Sequence, residues 1–163
     1  MAAPKTNSSM QLTRAADYAV RVMVFLAEQQ PNARVCLAEL ARGTGAPESF
    51  LSKVMQALAR GALITSQRGH AGGFSIAPRG LAASVREVIE AVDGPIRLNV
   101  CLGSNTACAR QSWCPAHPVW SRAQEAMLKV LDGARVADLG ECNTIPEMAA
   151  AAGFLQQRRS DPR

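Results

Sequence analysis

The sequence predicts a mainly α-helical fold that carries one small β-hairpin. Apolar residues recur at intervals of three and four along several segments, as on one face of a helix. A short β-prone stretch from Leu63 to Gln67 is followed by a glycine-rich turn and a second stretch from Phe74 to Ile76, which is typical of a hairpin. The 163 residues, 48% of them hydrophobic, are enough for one ordinary domain with an appendage.

Three helices are predicted before the hairpin. The first covers Leu12 to Gln29, where the apolar residues lie on one face. The second is short, about Leu37 to Arg42, and ends at a glycine-containing turn, residues 43–45. Pro47 is expected at the first position of the third helix, because the N–H that proline lacks needs no partner there. This helix continues to about Arg60.

The third helix has an apolar face and a polar, basic face. Leu51, Val54, Met55 and Leu58 form the apolar stripe. Two helices joined by a glycine-containing turn, with such a polar face on the second, are typical of a helix-turn-helix whose recognition helix enters a major groove of DNA. The residues expected to contact DNA from this helix are Ser49, Ser52, Lys53, Gln56 and Arg60.

The hairpin directly follows the helix-turn-helix and is therefore interpreted as a wing. Arg68 lies at its tip, within a run that contains three glycines. A guanidinium group at this point could enter a minor groove, where the negative potential favours it. An ordinary surface turn is the alternative interpretation.

The positive charge of the chain lies in its N-terminal half. Residues 1–80 contain nine Lys or Arg against four Asp or Glu, whereas residues 81–163 contain nine of each. The whole net charge of +5 therefore belongs to the half that carries the predicted helix-turn-helix. Such an excess is expected of a surface that meets phosphates, although a solvated basic surface would give the same count.

Two further helices are predicted after the wing. Ser84 and Glu87 form a capping box that opens a helix through Val92. A long helix of about 27 Å begins at Pro115 or Pro118. Because it is attached to a winged domain, this helix is interpreted as a dimerisation helix, and a core helix of a single subunit is the alternative. A homodimer suits a pseudo-palindromic DNA operator. The apolar stripe of the long helix consists of Trp120, Ala123, Met127, Val130 and Leu131.

Four metal-ligand residues lie just before the long helix. Cys101, Cys108, Cys114 and His117 fall within seventeen residues with the spacing C-x6-C-x5-C-x2-H. Ordering this segment costs roughly 20 kcal/mol of backbone entropy. Burial of each of its few large apolar side chains stabilises the ordered segment by only about 2 to 3 kcal/mol. The order of the segment is therefore expected to depend on a bound metal.

Three kinds of chemistry fit these ligands. They are a zinc site, oxidation of the thiols without a metal, and an iron-sulfur cluster. The Cys114-Pro115 step resembles those that close ferredoxin motifs, which favours the cluster. An odd count of five cysteines fits metal or redox chemistry in a reducing cytoplasm better than structural disulfides. Cys36, outside the segment, is expected to be a buried apolar residue.

Other classes of protein fit the sequence less well. No apolar signal core begins the chain, and no uncharged apolar run is long enough to span a membrane, so we expect a cytoplasmic protein with no membrane partner. An enzyme is not expected, because the chain has no phosphate-binding glycine loop, no nucleophile paired with a base, and only two histidines, His70 and His117. An electron carrier or a zinc-stabilised module would leave the basic N-terminal half unexplained.

Several segments together resemble the iron-sulfur winged-helix transcription regulators, a family that includes IscR, NsrR and RirA. The resemblance covers roughly Met10 to Leu139. Its matching pieces are Met10-Gln11-Leu12-Thr13, Asp17-Tyr18-Ala19-Val20, Phe50-Leu51-Ser52-Lys53, Arg68-Gly69-x-x-Gly72-Gly73-Phe74 and Val88-Ile89-x-Ala91-Val92-Asp93-Gly94.

The resemblance implies a dimeric regulator that senses redox state, nitric oxide or iron status through a cluster. Cys101, Cys108 and Cys114 take the positions of the family's cysteine ligands. His117 is the favoured fourth ligand and implies a 2Fe-2S cluster; Asp17 of the partner subunit is the alternative, and a 4Fe-4S cluster is the alternative centre. The chain departs from the pattern in its first cysteine gap, which is six residues instead of five. Gln11 also replaces a basic residue of the family.

These expectations divide the chain into four parts. Residues 1–9 are expected to be a flexible N-terminus and residues 10–80 a winged helix-turn-helix DNA-binding domain. Residues 81–140 comprise the cluster-binding loop and the dimerisation helix. Residues 141–163 are expected to be a mobile tail, with a helix predicted from Pro146 to Gln157.

Overall fold

Helices and one antiparallel hairpin form the fold in the computed structural model, which describes residues 12–69, 72–103 and 108–141. The mainly α-helical fold with a β-hairpin is therefore confirmed. The predicted tail helix and the expected flexible N-terminus lie outside the described residues. The elements are α1 Arg14–Ala27, α2 Leu37–Thr44, α3 Glu48–Arg60, β1 Ile64–Gln67, β2 Gly73–Ile76, α4 Pro78–Ala82, α5 Val85–Asp93, a 3-10 turn Val100–Leu102, α6 His117–Gly133 and α7 Val136–Gly140.

Helix α1 is the central helix, because it packs against α2, α3, α5 and α7. Its start is fixed by Thr13, whose hydroxyl oxygen accepts a hydrogen bond of 3.1 Å from the N–H of Ala16. The same hydroxyl donates to the carboxylate of Asp93 at 2.7 Å, which ties the start of α1 to the end of α5. The buried residues of α1 are Ala16, Ala19, Val22, Met23 and Leu26.

Helices α2 and α3 form the predicted helix-turn-helix. Gly45 ends α2 in the left-handed conformation, with φ +70°, which favours glycine. Pro47 lies one position earlier than expected: it is the N-cap of α3, with ψ 135°, and Glu48 is the first helical residue. The reason is that the carbonyl of Pro47 already accepts the first hydrogen bonds of the helix, from Phe50 and Leu51, each at 3.0 Å.

The hairpin is anchored to the helix-turn-helix through its second strand. Strands β1 and β2 pair in antiparallel register from Ile64 opposite Ile76 to Gln67 opposite Gly73. Phe74 also exchanges two backbone hydrogen bonds of 2.9 Å with Val35, two residues before α2. The wing and the segment that enters α2 are therefore joined by main-chain contacts.

A short helix that the sequence analysis did not predict follows β2. Helix α4 begins at Pro78, where the missing N–H needs no partner. Its Arg79 donates a hydrogen bond to the carbonyl of Gly61 at the end of α3 and forms an ion pair of 3.5 Å with Glu87. The predicted capping box of α5 is confirmed, because Ser84 and Glu87 each accept a hydrogen bond from the other's backbone N–H.

One buried core serves the described residues on both sides of residue 80. Leu63 and Met23 lie in it together with Val88 of α5 and Val136 of α7, all at most 1% exposed. Helices α1, α2 and α3 therefore share their apolar interior with α5 and α7. Within the described ranges no helix is both long and apolar enough to cross a membrane.

Candidate nucleic-acid interface and metal-ligand segment

Helix α3 presents one polar face to solvent. Its apolar residues Leu51, Val54, Met55 and Leu58 are buried, as the predicted stripe requires. Ser52 is half-buried and its hydroxyl donates to the carbonyl of Glu48 at 3.2 Å. The exposed residues of the predicted reading face are Ser49, Lys53, Gln56 and Arg60.

The spacing of these exposed residues places them on one side of the helix. Positions 49, 53, 56 and 60 are separated by four, three and four residues, which is the period of a helix face. Neither Lys53 nor Arg60 forms an ion pair with another described residue. The two cations on this face are therefore not neutralised by carboxylates in the part of the chain that the structure describes, so the face is suited to an anionic partner.

An aromatic residue that the sequence analysis did not assign to this surface also reaches solvent from α3. Phe50 is 38% exposed, and its ring contacts Tyr18 of α1 edge-on at a centroid distance of 5.5 Å. The signal was available in the sequence, since Phe50 lies outside the stripe formed by Leu51, Val54 and Leu58.

Arg68 follows β1 and is exposed, as expected for the wing. Gly69, next to it, has φ +111°, a backbone conformation that favours glycine. The N–H of Gly72 donates a hydrogen bond of 2.9 Å to the carbonyl of Gly69 across the turn. Residues 70–71 lie outside the described residues. A contact between Arg68 and a minor groove stays a prediction.

The prediction that Cys36 is buried is wrong. Cys36 is exposed and forms the N-cap of α2, without a side-chain capping bond. The neighbouring Val35, which pairs with Phe74, is only 2% exposed. Because successive side chains of an extended segment point to opposite sides, burial of Val35 turns the thiol of Cys36 towards solvent.

The four predicted metal ligands occupy different surroundings. Cys101 lies in the 3-10 turn and is 8% exposed, whereas Cys108 and Cys114 are half-buried. His117 is half-buried and is the first residue of α6. Its backbone N–H donates to the carbonyl of Cys114 at 3.1 Å, so the last cysteine is directly connected to the start of that helix.

These residues are not brought together as a metal-binding group. Among residues 12–69, 72–103 and 108–141, no group of three or more His, Cys, Asp or Glu side chains is arranged to hold a metal ion. The donor types themselves, three thiols and an imidazole, fit iron or zinc. Asp17, the alternative ligand, lies on α1 and forms an ion pair of 2.8 Å with Arg21.

Backbone and side-chain hydrogen bonds connect the start of the cysteine segment to α5 and α6. The N–H of Ile96 donates to the carboxylate of Glu90 at 3.2 Å. The N–H of Leu98 donates to the side-chain oxygen of Gln124 at 2.9 Å. Glu90 also accepts a hydrogen bond from Arg86. The residues just before Cys101 are therefore attached to both helices.

Helix α6 has no buried residue along its 17 positions. It contacts α5 and the 3-10 turn, which leaves much of its surface open. Val130 is 71% exposed and Val119 is 61% exposed. Of the predicted apolar stripe, Met127 and Leu131 are half-buried, and Trp120, Ala123 and Val130 are exposed.

Comparisons with known sequences agree on one kind of protein. A family model described as "Rrf2: Iron-dependent Transcriptional regulator" matches residues 12–141. An Azotobacter vinelandii protein named as an HTH-type transcriptional regulator, ORF2, is 31% identical over 150 residues, covering 92% of this chain and 88% of that protein. The HTH-type transcriptional regulator IscR of Yersinia pseudotuberculosis is 29% identical over 140 residues, covering 86% of this chain and 85% of its own length.

Solved structures show the same fold. The structure of CymR (YrzC), the global cysteine regulator of B. subtilis, superposes with a TM-score of 0.65 at 22% identity and covers 82% of this chain and 98% of that one. The T. potens IscR structure superposes with a TM-score of 0.62 at 23% identity, and the match covers 80% of this chain and 86% of that one. The predicted winged-helix architecture and the resemblance stated from the sequence are confirmed.

Proposed function

Because this chain belongs to the Rrf2 family of transcriptional regulators, we propose that it is a homodimer whose affinity for double-stranded DNA is controlled by an iron-sulfur cluster. Membership of this family makes the protein a DNA-binding regulator of transcription and not an enzyme. Residues 10–80 are assigned to DNA binding, and residues 81–140 to cluster binding and dimerisation. The observation that carries the DNA-binding role is the exposed polar face of α3 above a fully buried apolar stripe.

The DNA contacts are assigned to α3 and the wing. The N-terminal part of a recognition helix meets base edges in the major groove, and two copies read half-sites about 34 Å apart. Lys53 and Arg60 supply the positive charge on this face, and Arg68 supplies it on the wing. Contacts to phosphates then dominate the affinity, while Ser49, Ser52 and Gln56 add neutral groups that can hydrogen-bond to bases.

A second copy of the chain is assigned to the open side of α6. Val119 and Val130 are more exposed than any other large apolar residue of this helix, and covering them by the same helix of a partner removes apolar surface from water. A two-fold dimer places two identical recognition helices on a pseudo-palindromic operator. The dimer therefore explains both the length of α6 and its exposed apolar residues.

The cluster is assigned to Cys101, Cys108 and Cys114, with His117 as the fourth ligand and Asp17 of the partner subunit as the alternative. Histidine ligation favours a 2Fe-2S centre, and a 4Fe-4S centre is the alternative. When bound, such a cluster supplies a centre that is sensitive to oxidants, nitric oxide and iron supply. Cys108, Cys114 and His117 are half-buried, so their donor atoms are accessible to a metal, and metal binding couples to the ordering of the segment that carries the ligands.

The position of these residues also supports a regulatory effect on DNA binding. The backbone bond from His117 to Cys114 joins the last cysteine to the start of α6. Just before Cys101, the N–H of Ile96 is hydrogen-bonded to α5 and the N–H of Leu98 is hydrogen-bonded to α6. Gain or loss of order in residues 97–117 therefore acts on the helix that sets the distance between the two DNA-binding heads.

The decisive experiment is anaerobic purification followed by spectroscopy and DNA binding on the same sample. We expect visible absorbance, equal amounts of iron and sulfide, and a DNA affinity that differs between the cluster-loaded, oxidised and iron-stripped protein. Equal affinity in all three states would refute the sensing role. A colourless protein that contains zinc, or one that forms disulfides on oxidation without any metal, would replace the cluster by one of the two alternative chemistries.

A further inference from the structure

Phe50 is a large apolar residue in the first turn of the recognition helix, where solvent reaches it. The other large apolar residues of α3, Leu51, Val54, Met55 and Leu58, are at most 2% exposed, whereas Phe50 is 38% exposed. It lies next to the exposed Ser49 and one helical turn before the exposed Lys53. Phe50 therefore borders the polar face that the proposed function assigns to DNA.

The ring of Phe50 contacts an aromatic ring of another helix. Tyr18 of α1 contacts it edge-on, at 5.5 Å between centroids and 74° between planes. Tyr18 is itself covered by the guanidinium of Arg21, 5.8 Å from its ring centroid, and Arg21 is held by Asp17 at 2.8 Å. This support limits the rotation of the phenyl ring before any ligand binds, so little side-chain entropy is lost on contact.

We propose that Phe50 determines sequence specificity by packing against the C5-methyl group of one thymine in each half-site. The N-terminal residues of a recognition helix meet base edges, and the thymine methyl is the apolar group that those edges present in the major groove. The side chains of Ser49 and Lys53 end in polar groups. A phenyl ring placed against cytosine or adenine would cover an amino group without giving it a hydrogen-bond partner, which is unfavourable.

The inference rests on α3 being the recognition helix of the proposed function, and the test separates the two. The probe is a DNA duplex obtained by selection from a random-sequence library with the wild-type dimer. Each thymine of a half-site is replaced in turn by uracil, which removes only the methyl group. Affinity is measured by fluorescence anisotropy. We expect one position per half-site at which wild-type binding weakens about fourfold, the effect of one buried methyl group.

Two variants of Phe50 assign that methyl contact to the side chain. Phe50→Ala and Phe50→Gln should bind the thymine and uracil probes with equal affinity, because neither places a ring in the groove. Leu81→Ala is the matched control, since Leu81 is 37% exposed but lies on α4; it should keep the wild-type preference. Circular dichroism establishes that each variant is folded. The thymine-to-uracil scan with the wild-type protein does not depend on any variant.

The outcomes distinguish the inference from the proposed function. Loss of the thymine preference in both Phe50 variants supports the inference. A wild-type protein that ignores every methyl group, or variants of Phe50 that still prefer thymine, would overturn it. If Lys53→Ala weakens binding to both probes while Phe50→Ala changes nothing, only the role of Phe50 fails. If Lys53→Ala also changes nothing, α3 is not the reading helix and the proposed DNA interface fails with it.

Discussion

Arg86 of α5 donates a hydrogen bond of 3.0 Å to the carboxylate of Asp132, close to the end of α6. The same guanidinium donates to Glu90 at 3.2 Å, the residue that also accepts the N–H of Ile96. Arg86 is thus connected to α6 directly and to the start of the cysteine segment through Glu90. Arg86 therefore links α5, a helix of the shared core, to α6 and to the start of the cysteine segment, which are the two parts of the proposed sensor.

Replacing Arg86 by glutamine should lower the thermal stability of the protein. The hydrogen bonds to Asp132 and then to Glu90 raise the pKa of Arg86 above its ordinary value. A raised pKa means that this stabilisation is present below the ordinary pKa of arginine and is lost only at strongly alkaline pH, so it should not vary near neutrality. The effect is modest because both partners are partly exposed.

The melting temperature of Arg86→Gln, followed by circular dichroism, checks this expectation. Arg122→Gln is the matched control, because Arg122 is an exposed arginine of α6. If both variants melt at the same temperature as the wild type, the contact between α5 and α6 contributes nothing measurable.

Replacing Lys53 or Arg68 by alanine should weaken DNA binding and reduce its dependence on salt. Each residue carries an exposed charge on a surface assigned to DNA. Loss of one phosphate contact reduces the slope of log affinity against log salt by about one unit. Titrations at several salt concentrations measure this slope, and Arg122→Ala, outside the assigned surface, should leave it unchanged. An unaltered slope in both Lys53→Ala and Arg68→Ala contradicts the assignment.

Replacing His117 by alanine should change the visible absorption spectrum of the protein purified without air. An imidazole ligand and its replacement give different charge-transfer bands, because the ligand set controls the electronic structure of a cluster. His70→Ala, which removes the other histidine of the chain, is the control and should leave the spectrum as it is. A spectrum altered by Asp17→Ala and unaltered by His117→Ala would instead assign the fourth position to the carboxylate.

Replacing Val130 by glutamate should separate the dimer without unfolding the subunit. Val130 is 71% exposed, so a charge is solvated in the isolated chain but would be buried where two copies of α6 meet. We expect the dissociation constant of the dimer to rise at least about tenfold, which corresponds to about 1.4 kcal/mol. Analytical ultracentrifugation measures it, with Ala38→Glu as the control, because Ala38 is exposed but lies on α2. A dimer that tolerates Val130→Glu would place the interface elsewhere.

Local patterns in the sequence predicted most of the helices. The capping box of Ser84 and Glu87 depends on residues three positions apart. The apolar stripe of α3 depends on residues that repeat once per helical turn. Both patterns are therefore visible in the sequence without knowledge of the fold. Helix α4 was not predicted, although Pro78 is suited to the first turn of a helix.

Features that depend on distant residues were predicted less well. Cys36 is exposed because Val35 pairs with Phe74, a contact between residues almost forty positions apart that periodicity does not reveal. Phe50 was not assigned to the DNA surface, since its surroundings are set by Tyr18 of another helix. The joint ligation of a metal by Cys101, Cys108, Cys114 and His117 remains a prediction, because such ligands are ordered together with the metal that they bind.

Under the proposed DNA-binding role, the two main-chain hydrogen bonds between Val35 and Phe74 would restrict which operators the protein recognises. They tie the hairpin to Val35, which leads into α2, and so limit movement of the wing relative to the helix-turn-helix. Inserting a single base pair between the major-groove element and the neighbouring minor-groove element of a half-site would therefore put the two out of phase. In the proposed complex, this backbone pairing would set the permitted spacing within an operator, whatever signal the cluster senses.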